Sequence, residues 1–133
     1  MQTELAYLDA SAFVKLIRSE PESDVLSELV GRDWQLMGSS EILAIEVSRA
    51  ARRAGGDAPA RAARLLRAVA LVPLTSELCT QACLVGPSEL RSLDAIHLAT
   101  ALSVRERLGA IFTYDKRLAQ ASADAGLRVL APA

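Results

Sequence analysis

Five short, largely apolar segments are spaced along this chain: ELAYL at 4–8, WQLMG at 34–38, ALVPL at 70–74, AIFT at 110–113 and LRVLA at 127–131. Longer stretches with helical spacing separate them. A strand with one face in water alternates apolar and polar residues, whereas a strand apolar on both sides is covered on both faces. Strands of the second kind, alternating with helices, build a parallel sheet between two helical layers. The expected class is α/β, a three-layer α/β/α sandwich. Helices are expected over 11–18, 22–31, 41–54, 57–69, from Thr75 to before Gly86, over 92–108 and over 115–126. Ser39-Ser40, Thr75, Ser92 and Asp115 are the expected N-caps. Gly55-Gly56, Gly109 and Gly126 are the expected stops.

Size and composition narrow the function classes. A chain of 133 residues and 14.2 kDa is expected to form one domain over 1–133. Aromatic residues are 4% of the chain, too few for an all-β sandwich or a base-stacking sheet. The formal net charge is -1, which excludes nucleic-acid binding by bulk positive charge. Charge is nevertheless polarised, with Arg49, Arg52, Arg53, Arg61, Arg64 and Arg67 against Asp57 alone between 49 and 67. That band either steers an anionic strand or is a solvated face. No apolar run reaches membrane-spanning length. Residues 1–6 lack the basic start of a signal peptide, so a cytoplasmic location is expected. Cys79 and Cys83, one helical turn apart, are expected to be reduced and packed.

Ligands of open α/β sheets sit beyond the carboxyl ends of the strands. Asp9-Ala-Ser11 follows the first strand and Thr113-Tyr-Asp115 the fourth. Each aspartate taken alone reads first as an N-cap. Asp94 lies in the first turn of RSLDAIHLATAL, a helix expected to be buried nearly all round, where a carboxylate needs a partner or an ion. Glu46 shares a helical face with Ile42, Leu43 and Ala50. An exposed pairing with Arg49 contributes only a few tenths of a kcal/mol, too little to justify burial. Carboxylates gathered this way repel one another, and an all-oxygen ligand set selects Mg²⁺ or Mn²⁺. A single His and two Cys disfavour zinc. His97, one turn beyond Asp94, is expected to be a core histidine or to hydrogen-bond a metal-binding carboxylate. Glu41 is expected to face the dipole at its helix start.

At these residues, YLDASAFVKL, SSEILAIEVSRA, LRSLDAIHLATAL and IFTYDKRLAQAS, the chain resembles the PIN-domain ribonucleases, and within them the toxin component of VapBC-type toxin–antitoxin pairs. The resemblance spans residues 7–130. It implies a five-stranded parallel sheet of order 3-2-1-4-5. Asp9, Glu46, Asp94 and Asp115 match the family's acidic metal-binding set, and Ser11 and Thr113 match the hydroxyl residues that accompany it. The implied activity is metal-dependent endonucleolytic hydrolysis of RNA, with Mg²⁺ or Mn²⁺ as cofactor. The implied partners are an antitoxin protein, through which any DNA contact is made, and a second copy of the chain in a homodimer. Leu16, Ile17, Val25, Leu26 and Leu29 are candidates for the antitoxin groove or for ordinary core.

Other readings are weaker. A phosphoacceptor receiver needs an Asp after the third strand and a Lys after the fifth, and neither is present. No glycine-rich phosphate loop occurs. A catalytically inactive scaffold that binds RNA or a protein partner fits the fold, but the complete acidic set speaks against it.

Overall fold

The computed structural model describes residues 5–34 and 36–133. The expected strand positions Glu4 and Gln35, and most of residues 1–6, lie outside the described residues. The elements are β1 (Leu5–Leu8), α1 (Ala10–Ile17), α2 (Ser23–Asp33), β2 (Leu36–Ser40), α3 (Ile42–Ala54), α4 (Ala58–Leu66), β3 (Val69–Val72), α5 (Ser76–Ala82), α6 (Ser92–Ser103), β4 (Leu108–Phe112), α7 (Lys116–Asp124) and β5 (Val129–Leu130). The strands form one sheet of order β3-β2-β1-β4-β5, parallel at every pairing.

Alternation along the strands feeds both helical layers. Ala6, Leu8, Ala110 and Phe112 join Phe13, Leu26, Leu43 and Val47 in one core. Tyr7 and Ile111 join Leu98 and Leu118 in the other. The Leu, Ile, Val and Phe side chains among them contribute about 1.5–3 kcal/mol each on burial. Within α3, Leu43, Val47 and Ala51 are the buried stripe. Ile42, Glu46 and Ala50 lie beside that stripe, half-buried. Gly55 ends the helix with φ 73, and its N–H donates to the Ala51 carbonyl; only glycine takes that conformation at no steric cost.

Several boundaries differ from expectation. Ser39 and Ser40 belong to β2; Ser39 Oγ donates to the Leu8 carbonyl at 2.7 Å, and Ser40 Oγ accepts from the Ile42 N–H at 3.2 Å. Glu41 occupies the N-cap position, but its carboxylate accepts from the Leu74 N–H after β3. Arg91, not Ser92, precedes α6. That helix stops at Ser103, and Gly109 sits inside β4. A side chain at Gly109 would overlap the Trp34 indole, which packs edge-on to Phe112. This glycine makes room for a ring and does not end a helix. Thr75 and Asp115 cap as expected. Cys79 and Cys83 are exposed, because α5 buries only Leu78. Ile17 and Leu26 are core residues, while Val25 is exposed and Leu16 and Leu29 are partly buried.

Candidate active site

The strand order reverses beside β1, with β2 and β3 on one flank and β4 and β5 on the other. A crevice opens at the carboxyl ends of such a switch point. Asp9 enters it directly after β1, and Asp115 from the turn after β4. Asp94 enters from the first turn of α6 and Glu46 from the second turn of α3. The four line one cleft of about 370 Å³ together with Ser11, Arg91 and His97. The structure thus brings together every acidic residue expected at the site. The carboxylates line the cleft without closing on one point: among the described residues, no three His, Cys, Asp or Glu side chains converge as an ion-binding group.

Asp9 is 3% exposed and tightly held. Its Oδ1 accepts from Ser11 Oγ at 2.7 Å and from the Ala12 N–H at 2.9 Å. Its Oδ2 accepts from Thr113 Oγ1 at 2.6 Å. A carboxylate has about four acceptor positions, so one remains, on Oδ2. Burial pushes the Asp9 carboxyl above its ordinary value, against the lowering effect of those three hydrogen bonds. Ser11 Oγ also accepts from the Tyr114 N–H at 2.9 Å, and Thr113 Oγ1 from the Asp115 N–H at 3.1 Å. These two hydroxyls stand behind Asp9 and tie the two strand-end loops together.

Asp115 uses Oδ1 to cap α7, accepting from the N–H groups of Arg117 and Leu118 at 2.9 and 3.0 Å. Asp9 and Asp115 thus cap their helices and line the cleft at the same time. No side-chain hydrogen bond engages Asp94 among the described residues. Its carboxyl lies above the ordinary range, through burial first and then the nearby charges of Asp115 and Asp9. Like charges lining one cleft disfavour ionisation of each other.

Glu46 has a different partner from the one its sequence neighbours suggest. Its Oε1 lies 2.8 Å from His97 Nε2, and Arg49 plays no part. His97 is 1% exposed, and its Nδ1 lies 2.7 Å from the Tyr7 hydroxyl. A carboxylate accepts, so His97 Nε2 donates to Glu46, while Nδ1 shares its hydrogen bond with the Tyr7 hydroxyl. Burial pushes the Tyr7 phenol well above its usual value, keeping it a donor. Tyr7 was not singled out from the sequence. The available signal was a tyrosine in an otherwise aliphatic strand, whose buried hydroxyl requires a partner.

The arginine band divides. Arg49, Arg52 and Arg53 line one depression of about 330 Å³. Arg61 is occupied, donating to Asp57 Oδ2 at 3.1 Å and to the Ile17 carbonyl at 3.3 Å. Arg64 and Arg67 are exposed.

The PIN domain family model matches residues 6–124. This chain belongs to the PIN-domain family. Among its relatives, ribonuclease VapC46 of Mycobacterium tuberculosis (strain ATCC 25618 / H37Rv) is 40% identical over 126 residues, covering 95% of this chain and 96% of that protein. Ribonuclease VapC47 of Mycobacterium tuberculosis (strain CDC 1551 / Oshkosh) is 36% identical over 137 residues, covering 96% and 97%. The fold of this PIN-domain chain is shared by the crystal structure of Mycobacterium tuberculosis VapC20, a sarcin-ricin loop cleaving toxin. That match has a TM-score of 0.72 at 19% identity, over 96% of this chain and 99% of the other. A chain from a toxin–antitoxin complex of Klebsiella pneumoniae matches with a TM-score of 0.69 at 21% identity, over 96% and 98%. No helix among the described residues is long and apolar enough to cross a membrane.

Proposed function

We propose that this chain, as one domain over residues 1–133, is a metal-dependent endoribonuclease and the toxin of a type II toxin–antitoxin pair. The observation that carries this reading is that Asp9, Glu46, Asp94 and Asp115 line one cleft at the crevice between β1 and β4. The donor set fits a hard divalent cation: it is all oxygen, mutually repelling, and retains unused acceptor positions on Asp9, Asp94 and Asp115. Asp9, Glu46 and Asp94 would hold Mg²⁺ or Mn²⁺, with Asp115 completing the site. Such an ion supplies a nucleophilic water at neutral pH and charge neutralisation for the phosphate.

The remaining work falls to the chain. Ser11, Thr113 and the Ala12 N–H fix the Asp9 carboxylate, so its free lone pair has a defined direction. His97, held by Tyr7, fixes Glu46 in the same way. Both ring nitrogens of His97 are thereby engaged, so it orients a carboxylate and does not act as general base toward substrate. Hydrolysis forms a bond from the water oxygen to phosphorus and breaks one P–O bond of the RNA backbone; the departing ribose oxygen takes up one proton to leave as a hydroxyl, and the water's other proton goes to solvent or an unpaired cleft carboxylate.

The proposed partners are RNA as substrate, a protein antitoxin, and a second copy of the chain in a homodimer. DNA would be contacted only through the antitoxin, and the proposed location is the cytoplasm. The names of the VapC46 and VapC47 ribonucleases and of the Klebsiella complex support this reading. The test is incubation of total RNA with purified protein in Mg²⁺, in Mn²⁺ and in EDTA, followed by mapping of new ends. Divalent-dependent cleavage is expected. Undiminished cleavage by metal-stripped protein in EDTA would overturn it.

A further inference from the structure

A second groove, of about 620 Å³, adjoins the acidic cleft. The two share Ala10, Ser11, Glu46 and Leu93, so they form one continuous depression. One stripe of α3 supplies a wall: Ile42, Ile45, Glu46, Arg49 and Arg53 recur at intervals of three and four residues. Ile45 is 61% exposed and Leu93 45% exposed, so the groove wall beside the cleft is open apolar surface. Arg49 and Arg53 make no ion pair among the described residues, and Arg52 stands beside them. Glu20, also in the groove, is already bound by Lys15 at 2.8 Å. The groove therefore joins apolar surface to uncommitted positive charge. A matching partner carries negative charge beside an apolar surface.

We infer that this groove seats the nucleotide flanking the scissile phosphate, with its base on Ile45 and Leu93 and its backbone phosphates on Arg49 and Arg53. The inference rests on the ribonuclease reading and adds a specificity-determining surface to it. Arg49 and Arg53 are one turn apart, about 6 Å along the axis, within reach of successive phosphates of one strand. A base can lie on Ile45 and Leu93 only when unstacked, so the substrate is a single-stranded or loop segment.

The test uses a short single-stranded RNA that the wild-type protein cleaves in Mg²⁺ at a mapped linkage. It is compared with the same strand carrying an abasic nucleotide on either side of that linkage. Removing the seated base is expected to lower kcat/KM by about tenfold. In the double variant Ile45→Ser with Leu93→Ser, the intact strand falls by a similar factor and the abasic strand falls no further. Both positions are exposed, and a thermal melt checks that the fold survives. Arg49→Gln with Arg53→Gln keeps the abasic preference but makes the slope of log kcat/KM against log salt shallower by about 1.4. Abasic discrimination that is absent in the wild type, or that persists in the serine variant, overturns the inference. So does a serine variant that cleaves normally and differs only in self-association by sedimentation, which would give the groove to a second copy. A wild type that cleaves no RNA in any divalent ion overturns the ribonuclease reading itself; normal cleavage with indifferent groove variants sinks only the groove.

Discussion

Asp94 and Asp9 show how differently two carboxylates can be held in one cleft. Asp9 is satisfied by three donors, whereas Asp94 stands unbonded and raised by burial and its acidic neighbours. A raised carboxyl in the folded state adds stability that is complete below the ordinary aspartate value of about 3.9 and is lost as pH rises through the folded value. In EDTA, the protein is therefore expected to melt higher as pH is lowered from neutral toward mildly acidic. Glu22 and Asp33, whose carboxyls are lowered by Lys15 and Arg32, act oppositely only at still lower pH. Asp94→Asn removes charge without removing a hydrogen bond. It should abolish cleavage, melt no lower than wild type at neutral pH, and flatten that pH dependence. Melts in EDTA across a pH series check this; a variant that melts lower with an unchanged pH slope would make Asp94 structural. His97→Asn breaks the link between Tyr7 and Glu46. It should cost about 10–100-fold in activity or metal affinity, the range for partners that orient a ligand. The divalent-ion concentration needed for half-maximal cleavage should rise, and Tyr7→Phe should produce a smaller rise in the same direction.

At the scale of elements, periodicity located the strands and most helices, because doubly buried strands and amphipathic helices leave opposite signatures in sequence. Strand order left none: that β1 lies against β4 and not β3 came through the family resemblance. Boundaries failed where a residue's local preference was overruled by packing. Ser39 and Ser40 favour a helix cap, yet β2 continues through them because Ser39 can bond across to Leu8. Gly109 resembles a helix stop, yet a ring more than seventy positions earlier in the chain fixes it as glycine. Glu46 was legible as an expensive residue on a half-apolar face, but its partner was not, since His97 is 51 positions away. Gly109→Ala should destabilise the protein by about 1–3 kcal/mol, the usual cost of overpacking. Denaturant unfolding checks it, with cleavage by the remaining folded protein unchanged. A neutral result would mean the Trp34 ring swings away freely.

Across the whole molecule, a net charge of -1 conceals a division between an acidic cleft and an arginine-lined flank. An anionic substrate is repelled by the first and drawn by the second, so the flank has to supply the approach. Sequence alone placed six arginines in one band without separating their roles; the structure separates two of them. Arg61 is tied to Asp57 and to the end of α1 through the Ile17 carbonyl, so it works inside the fold. Arg52 is exposed and belongs to the cluster with Arg49 and Arg53. Arg61→Gln should lower stability, by about 0.5–1.5 kcal/mol for the lost hydrogen bond to Ile17, and leave the salt dependence of RNA binding unchanged. Arg52→Gln should leave stability within about 0.5 kcal/mol, as surface substitutions do. It should also make the slope of log affinity against log salt shallower by about 0.7, the value of one phosphate on a single strand. Fluorescence anisotropy with a labelled single-stranded RNA over a salt series, beside urea melts of both variants, measures the two quantities independently. Equal slopes for Arg52→Gln and wild type would show that this arginine neutralises no phosphate. A shallower slope for Arg61→Gln would show that its ion pair opens to bind RNA.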